Sequence, residues 1–158
     1  MSELKEGDLA PDFTIPSSEG ESISLRDFKG KKSVVLYFYP KDSTPGCTIE
    51  ACDFRDLKKE FAKQGAEILG VSFDNLKSHE KFKTNHKLSF PLLADEDKSL
   101  AKQYGVYKKK SLYGRSYMGI ERTTFVINQD QKVAKIFPKV KVLGHAKEVL
   151  RTLKESTT

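Results

Sequence analysis

Ser33-Val34-Val35-Leu36-Tyr37-Phe38-Tyr39-Pro40 runs directly into Lys41-Asp42-Ser43-Thr44-Pro45-Gly46-Cys47-Thr48-Ile49-Glu50-Ala51-Cys52. Ser33 to Tyr39 is an unbroken β-branched and aromatic run, the pattern of a strand buried on both faces. Pro40 closes that strand, because a proline has no N–H to give to a central ladder. Thr44 followed by Pro45 reads as an N-cap and a first helical residue, so a helix begins there. Cys47 then falls in the first turn of that helix, beyond the carboxyl end of a buried strand. In open α/β sheets this is where ligands sit.

Working outward, strands and helices alternate. Thr48 to Gln64 reads as a helix stopped by Gly65, and Ile68 to Phe73 as the next strand. Lys77 to Lys87 has helical spacing, Pro91 to Ala94 is a short extended piece, and Lys98 to Tyr104 is a short helix closed by Gly105. On the N-terminal side, Phe13 to Ile15 and Ser22 to Leu25 alternate around Ser17 to Gly20, as an N-terminal β-hairpin does. Thr123 to Ile127 and Val133 to Phe137 form a second hairpin around Asn128-Gln129-Asp130, and Gly144 to Lys154 is a terminal amphipathic helix. The order predicts a three-layer α/β fold: parallel pairing in the middle and a closing hairpin that makes the central sheet mixed.

The chain has 158 residues, which fits one domain spanning 1–158. Ten Phe and six Tyr in a sequence with 32% charged residues exclude both a disordered chain and a membrane protein. Val34 to Tyr39 is far short of the roughly 20 apolar residues that a span needs. Met1-Ser2-Glu3-Leu4-Lys5-Glu6 leads into no apolar segment of the signal-peptide kind, so a cytoplasmic protein is expected. A formal charge of +6 raises the question of nucleic acid. The cations are spread along the chain, however, and the dense run Lys108-Lys109-Lys110 reads as a solvated loop.

Two cysteines are too few for a secreted disulfide framework or a four-thiolate zinc site. His79, His86 and His145 form no metal-ligand spacing and read as surface residues. The cysteines themselves differ by helical angle. Cys47 shares a face with Ala51, Phe54, Phe61 and Ala62, whereas Cys52 lies about 140° away among Asp56, Lys59 and Lys63. Cys47 is thus expected at the core border and Cys52 toward solvent. Free backbone N–H groups and the positive end of the helix dipole favour a thiolate at Cys47. The two Cα atoms would lie about 8.6 Å apart on an ideal helix, beyond the roughly 7 Å that a disulfide tolerates. A bridge between them therefore requires the first turns to unwind. Arg122, just before the strand at Thr123, is a candidate to hold the thiolate, the alternative being an ion pair at a strand edge.

Pro40-x-x-x-Thr44-x-x-Cys47 resembles the peroxiredoxin active-site motif. Cys52, five residues on, is similar to the resolving cysteine of the peroxiredoxin Q, or bacterioferritin comigratory protein, branch. The resemblance runs from Gly7-Asp8-Leu9-Ala10-Pro11-Asp12-Phe13 to the terminal helix, and Gly119 to Phe125 is similar to the family's arginine strand. It implies a thioredoxin-like fold and reduction of hydroperoxides at the expense of a dithiol. Cys47 would be the peroxidatic nucleophile, oxidised to a sulfenic acid that Cys52 resolves as an intramolecular disulfide. Thr44 would hydrogen-bond the thiolate and the peroxide, Arg122 would stabilise both, and Pro40 would shield the pocket. Thioredoxin or a glutaredoxin-like protein would restore the dithiol, with no metal, haem or flavin required. An internal resolving cysteine removes the need for a second subunit, which favours a monomer. A general thiol–disulfide oxidoreductase and a basic binding module built on Lys108 to Lys110 with Tyr107, Tyr113 and Tyr117 are the competing classes.

Overall fold

The computed structural model describes residues 4–156. Met1 to Glu3, part of the stretch read above for a targeting signal, lie outside the described residues. In chain order the elements are β1 (Thr14–Pro16), β2 (Ser22–Ser24), β3 (Ser33–Phe38), α1 (Pro45–Asp56), α2 (Lys58–Lys63) and β4 (Ala66–Ser72). Then follow α3 (Leu76–His86), β5 (Leu92–Ala94), α4 (Ser99–Gln103), β6 (Tyr107–Leu112), β7 (Arg115–Ile120), β8 (Thr123–Ile127), β9 (Val133–Phe137) and α5 (His145–Ser156).

Five strands make the central sheet in the order β5-β4-β3-β8-β9. β3 pairs in parallel with β4 and antiparallel with β8, so the sheet is mixed and β3 lies at its centre. A central strand has no wet face, and its side chains divide accordingly. Val34, Leu36 and Phe38 enter one core with Phe13, Ile15, Leu25, Leu100 and Tyr104, from the N-terminal hairpin and the α4 region. Val35, Tyr37 and Tyr39 enter the other with Ala51, Phe54, Phe61, Phe82 and Val149, from α1, α2, α3 and α5. Three layers result, as the alternation of elements requires. Tyr37 reaches across the sheet only because position 70 is glycine: a Cβ there would lie 2.9 Å from the Tyr37 ring.

Three expectations change. The helix begins at Pro45, with Thr44 in extended N-cap geometry, but it divides at Leu57 instead of running on to Gln64. The Leu57 N–H is shared between the Asp53 and Phe54 carbonyls, a tightened turn that seats both Phe54 and Phe61 in one core. Lys108-Lys109-Lys110 is not a loop but half of β6, paired with β7 in a separate two-stranded sheet. Its alternation is hidden because it packs on little. His79 and His145 are buried, not on the surface, and only His86 is partly exposed. Among the described residues no helix is long and apolar enough to cross a membrane.

Candidate active site

Cys47 lies in the first turn of α1 with its side chain 1% exposed. β3 aims the chain at this point, and the turn from Pro40 to Thr44 redirects it. That turn is pinned from behind by Asp42. The Asp42 carboxylate accepts from Tyr39 Oη at 2.5 Å and Ser78 Oγ at 2.8 Å, and meets His79 Nδ1 at 2.7 Å. The Asp42 N–H donates to Asp74 Oδ2 at 2.8 Å. His79 Nε2 donates to the Leu93 carbonyl at 2.9 Å, because a carbonyl oxygen can only accept. Ser43 accepts a left-handed φ of 64° inside this anchored turn. Asp42, Asp74 and His79 bring ligand atoms within 4.8 Å of one another, the only such metal-type grouping among the described residues. Protein partners occupy the ring nitrogens and the carboxylate oxygens that face one another. The group acts as a structural tie between the turn, α3 and β5.

Arg122 arrives from the other side of the sheet, at the entry to β8. Its backbone carbonyl accepts from Val140 N–H at 2.9 Å, which fixes the chain at that point. Its Nη2 donates to Cys47 Sγ at 3.3 Å, and its Nη1 to Glu50 Oε1 at 2.6 Å. The guanidinium passes close over the helix start: a Cβ on Gly46 would lie 3.4 Å from Nη2. Burial pulls the Arg122 pKa down, but Glu50 and Cys47 outweigh it and hold the guanidinium above its ordinary value. The alternative of a surface ion pair for Arg122 is thereby overturned.

Glu50 was absent from the expected set. Its side chain is 1% exposed, and burial pushes its carboxyl up to about 7, with Arg122 opposing. A signal for it existed: three residues of helix place Glu50 about 60° from Cys47, a carboxylate on an otherwise apolar face. Beneath the pair lies Tyr37, stacked on Phe54 and Tyr39 with ring centroids 4.7 and 5.4 Å away. Desolvation raises its hydroxyl well above the usual phenol value.

The remaining expected residues fall as follows. Thr44 precedes α1, and its hydroxyl donates to the Lys41 carbonyl at 2.9 Å, leaving oxygen lone pairs free to accept. Pro40 is half-buried at the end of β3. Cys52 is a free, half-buried thiol one and a half turns beyond Cys47, less open than the helical angle suggested. Arg55 lies close enough for Cys52 to bear on its charge. Arg55 is itself held by the His86 carbonyl at 2.6 Å.

The AhpC/TSA family pattern matches residues 7–136. The putative peroxiredoxin bcp of Coxiella burnetii is 51% identical over 150 residues, covering 95% of this chain and 99% of that protein. Peroxiredoxin Bcp of Bacillus subtilis is 50% identical over 149 residues, covering 94% of each. Among solved structures, a peroxiredoxin Q of Xanthomonas campestris superposes with TM-score 0.90 at 43% identity, over 98% of both chains. A PrxQ mutant of Xylella fastidiosa gives TM-score 0.94 at 37% identity over the whole of both. These likenesses extend over nearly the whole length of each chain. The chain belongs to the AhpC/TSA family, on its peroxiredoxin Q or Bcp branch, and is a thiol-dependent peroxidase with a thioredoxin-like fold.

Proposed function

We propose that Cys47 is the peroxidatic nucleophile and Cys52 its resolving partner in the reduction of hydrogen peroxide and organic hydroperoxides. The contact that carries this reading is Arg122 Nη2 at 3.3 Å from Cys47 Sγ. A guanidinium there holds the thiolate and meets the negative charge that develops on the departing oxygen. Sγ attacks the nearer peroxide oxygen, the O–O bond breaks, and the leaving oxygen takes a proton to become water or an alcohol. Cys47 is left as a sulfenic acid. Thr44, its O–H engaged with the Lys41 carbonyl, offers an acceptor to the peroxide O–H, and Pro40 walls the pocket from water. The thiolate of Cys52 then attacks the sulfenic sulfur: S–S forms, S–O breaks, and hydroxide leaves as water with the proton that Cys52 shed. A thioredoxin or glutaredoxin-like dithiol returns two electrons and two protons.

Organic substrates are supported by a similar structure, the bacterioferritin comigratory protein of X. campestris, described by its alkyl peroxide reduction activity. A resolving residue on the same helix needs no second subunit, which supports a monomeric cycle. General thiol–disulfide exchange is disfavoured, because a sulfur 1% exposed cannot meet a protein disulfide. A nucleic-acid role for Lys108 to Lys110 is weakened where Lys108 pairs with Glu121 and Lys110 Nζ donates to the Ile120 carbonyl. Stopped-flow oxidation with disulfide mapping tests the reading. Cys47→Ser should abolish turnover, and Cys52→Ser should allow one rapid oxidation without an internal bridge. Undiminished turnover in Cys47→Ser would refute it.

A further inference from the structure

Glu50 lies between Cys47 and Cys52 in the chain, so any path that joins the two sulfurs must carry it along. In the wound helix its Oε1 meets Arg122, while Oε2 is buried without a hydrogen-bond partner. A half-satisfied carboxylate in a dry site stores free energy that is released once the group reaches water. Its cation is also shared, since Arg122 serves Cys47 Sγ with its other nitrogen. We propose that the buried charge of Glu50 biases the first turns of α1 toward unwinding, so that loss of its proton promotes closure of the Cys47–Cys52 bridge. This rests on the reading of Cys52 as the resolving cysteine.

The groups around Glu50 leave its charge poorly compensated. Arg122 faces it from the entry to β8, Cys47 and Asp53 from α1, and Tyr37 from β3. Asp53 carries the same sign, and the Tyr37 hydroxyl is buried with no partner of its own. His145 on α5 faces the same guanidinium, and burial, with the charge of Arg122 adding to it, lowers its pKa. Burial sets the Glu50 carboxyl at about 7, against 4.5 for an ordinary glutamate. An acid with a raised pKa binds its proton more tightly in the wound state, so protonated Glu50 favours the wound helix. That advantage is complete below the unwound pKa and is lost as pH rises through the wound one. The unwound fraction should therefore climb by up to about tenfold per pH unit across the window, then level off.

Bridge closure also needs the Cys52 thiolate, which adds its own pH dependence. Glu50→Gln separates the two, since it keeps the shape and the acceptor for Arg122 but carries no charge at any pH. The full-length reduced protein and the variant are oxidised with one equivalent of hydrogen peroxide from pH 5 to pH 9. Bridge formation is followed by rapid quench and mass spectrometry. Amide exchange of residues 47–52, corrected for intrinsic rates, reports helix opening directly. The two proteins should coincide near pH 5. Near pH 8 the variant should open its helix and close its bridge at least tenfold more slowly, and it should gain sulfinic acid at Cys47 under excess peroxide. Parallel opening profiles would overturn the proposal, even if the bridge forms. Failure to find a Cys47–Cys52 bridge in the parent protein would instead refute the resolving role, and the exchange profiles would still decide what Glu50 does to the helix.

Discussion

Arg122 donates to two side chains at once, and its geometry ties the proposed nucleophile to a carboxylate that lies outside the proposed bond changes. Replacing it with methionine removes the donor to Sγ and strands Glu50 in the interior. Loss of a transition-state donor of this kind slows a reaction by about 10²–10³-fold. Loss of a buried partner destabilises by about 3–5 kcal/mol. Arg122→Met is therefore expected to fail on both counts, the first read by stopped-flow oxidation and the second by denaturant unfolding. A variant with parental peroxide rates would show that the 3.3 Å contact is not used. Cys47, Cys52 and Arg122 stand out in the sequence because thiols and a guanidinium are residue types that carry chemistry, whereas Thr44 by itself reads only as an N-cap and owes its expected role to the resemblance. Glu50 does not stand out, because a glutamate on a helix is ordinarily a solvated one.

At the scale of elements, α1 has twelve residues, starts at Pro45 behind a Thr44 whose side chain makes no capping hydrogen bond, and is cut off at Leu57. Its apolar contacts come from Cys47, Ala51 and Phe54, with no long stripe to hold the first turn. What holds that end is the turn before it, and the turn depends on α3 through Asp42 and His79. His79→Ala takes a buried ring out of the core and leaves the buried Asp42 carboxylate with only Tyr39 Oη and Ser78 Oγ as side-chain donors. It should destabilise by about 3–5 kcal/mol, whereas His86→Ala, seven residues on and partly exposed, should change stability by less than about 1 kcal/mol. Urea midpoints at constant m-value measure both, and equal effects would remove the anchoring role. The spacing on α3 identified a helix but not which histidine it buried. Two of its turns look alike until β5 and the Asp42 turn are packed against one of them.

For the whole molecule, Glu50 and His145 set opposite pH dependences. Burial holds the His145 pKa below its ordinary value, so its contribution to stability is present above about 6.5 and is lost as pH falls. Glu50 is raised to about 7, so its contribution is present below the ordinary 4.5 and is lost as pH rises to neutrality. Stability of the parent protein should accordingly change little through the acid range and decline toward pH 7.5. Glu50→Gln should match the parent near pH 5 and exceed it near pH 8, by an amount on the order of 1–3 kcal/mol. Thermal and urea unfolding at the two pH values give the comparison. A variant less stable than the parent at both would assign Glu50 a net stabilising ion pair.

The order of elements, the central place of β3, the helix start at Pro45 and the separate faces of the two cysteines follow from local rules. Period, proline placement and capping act over a few residues, and the strand pattern is loudest where both faces are dry. The β6–β7 hairpin escaped notice because its strands bury little, and hydrophobic period is the trace of burial. The contact between Arg122 and Cys47, 75 residues apart, the burial of Glu50 and the His79–Asp42 tie depend on distances that appear only when the layers close on one another. Charge and hydrogen bonding act through space, and desolvation depends on every element that covers the group. None of these terms is written in the order of neighbours along a chain.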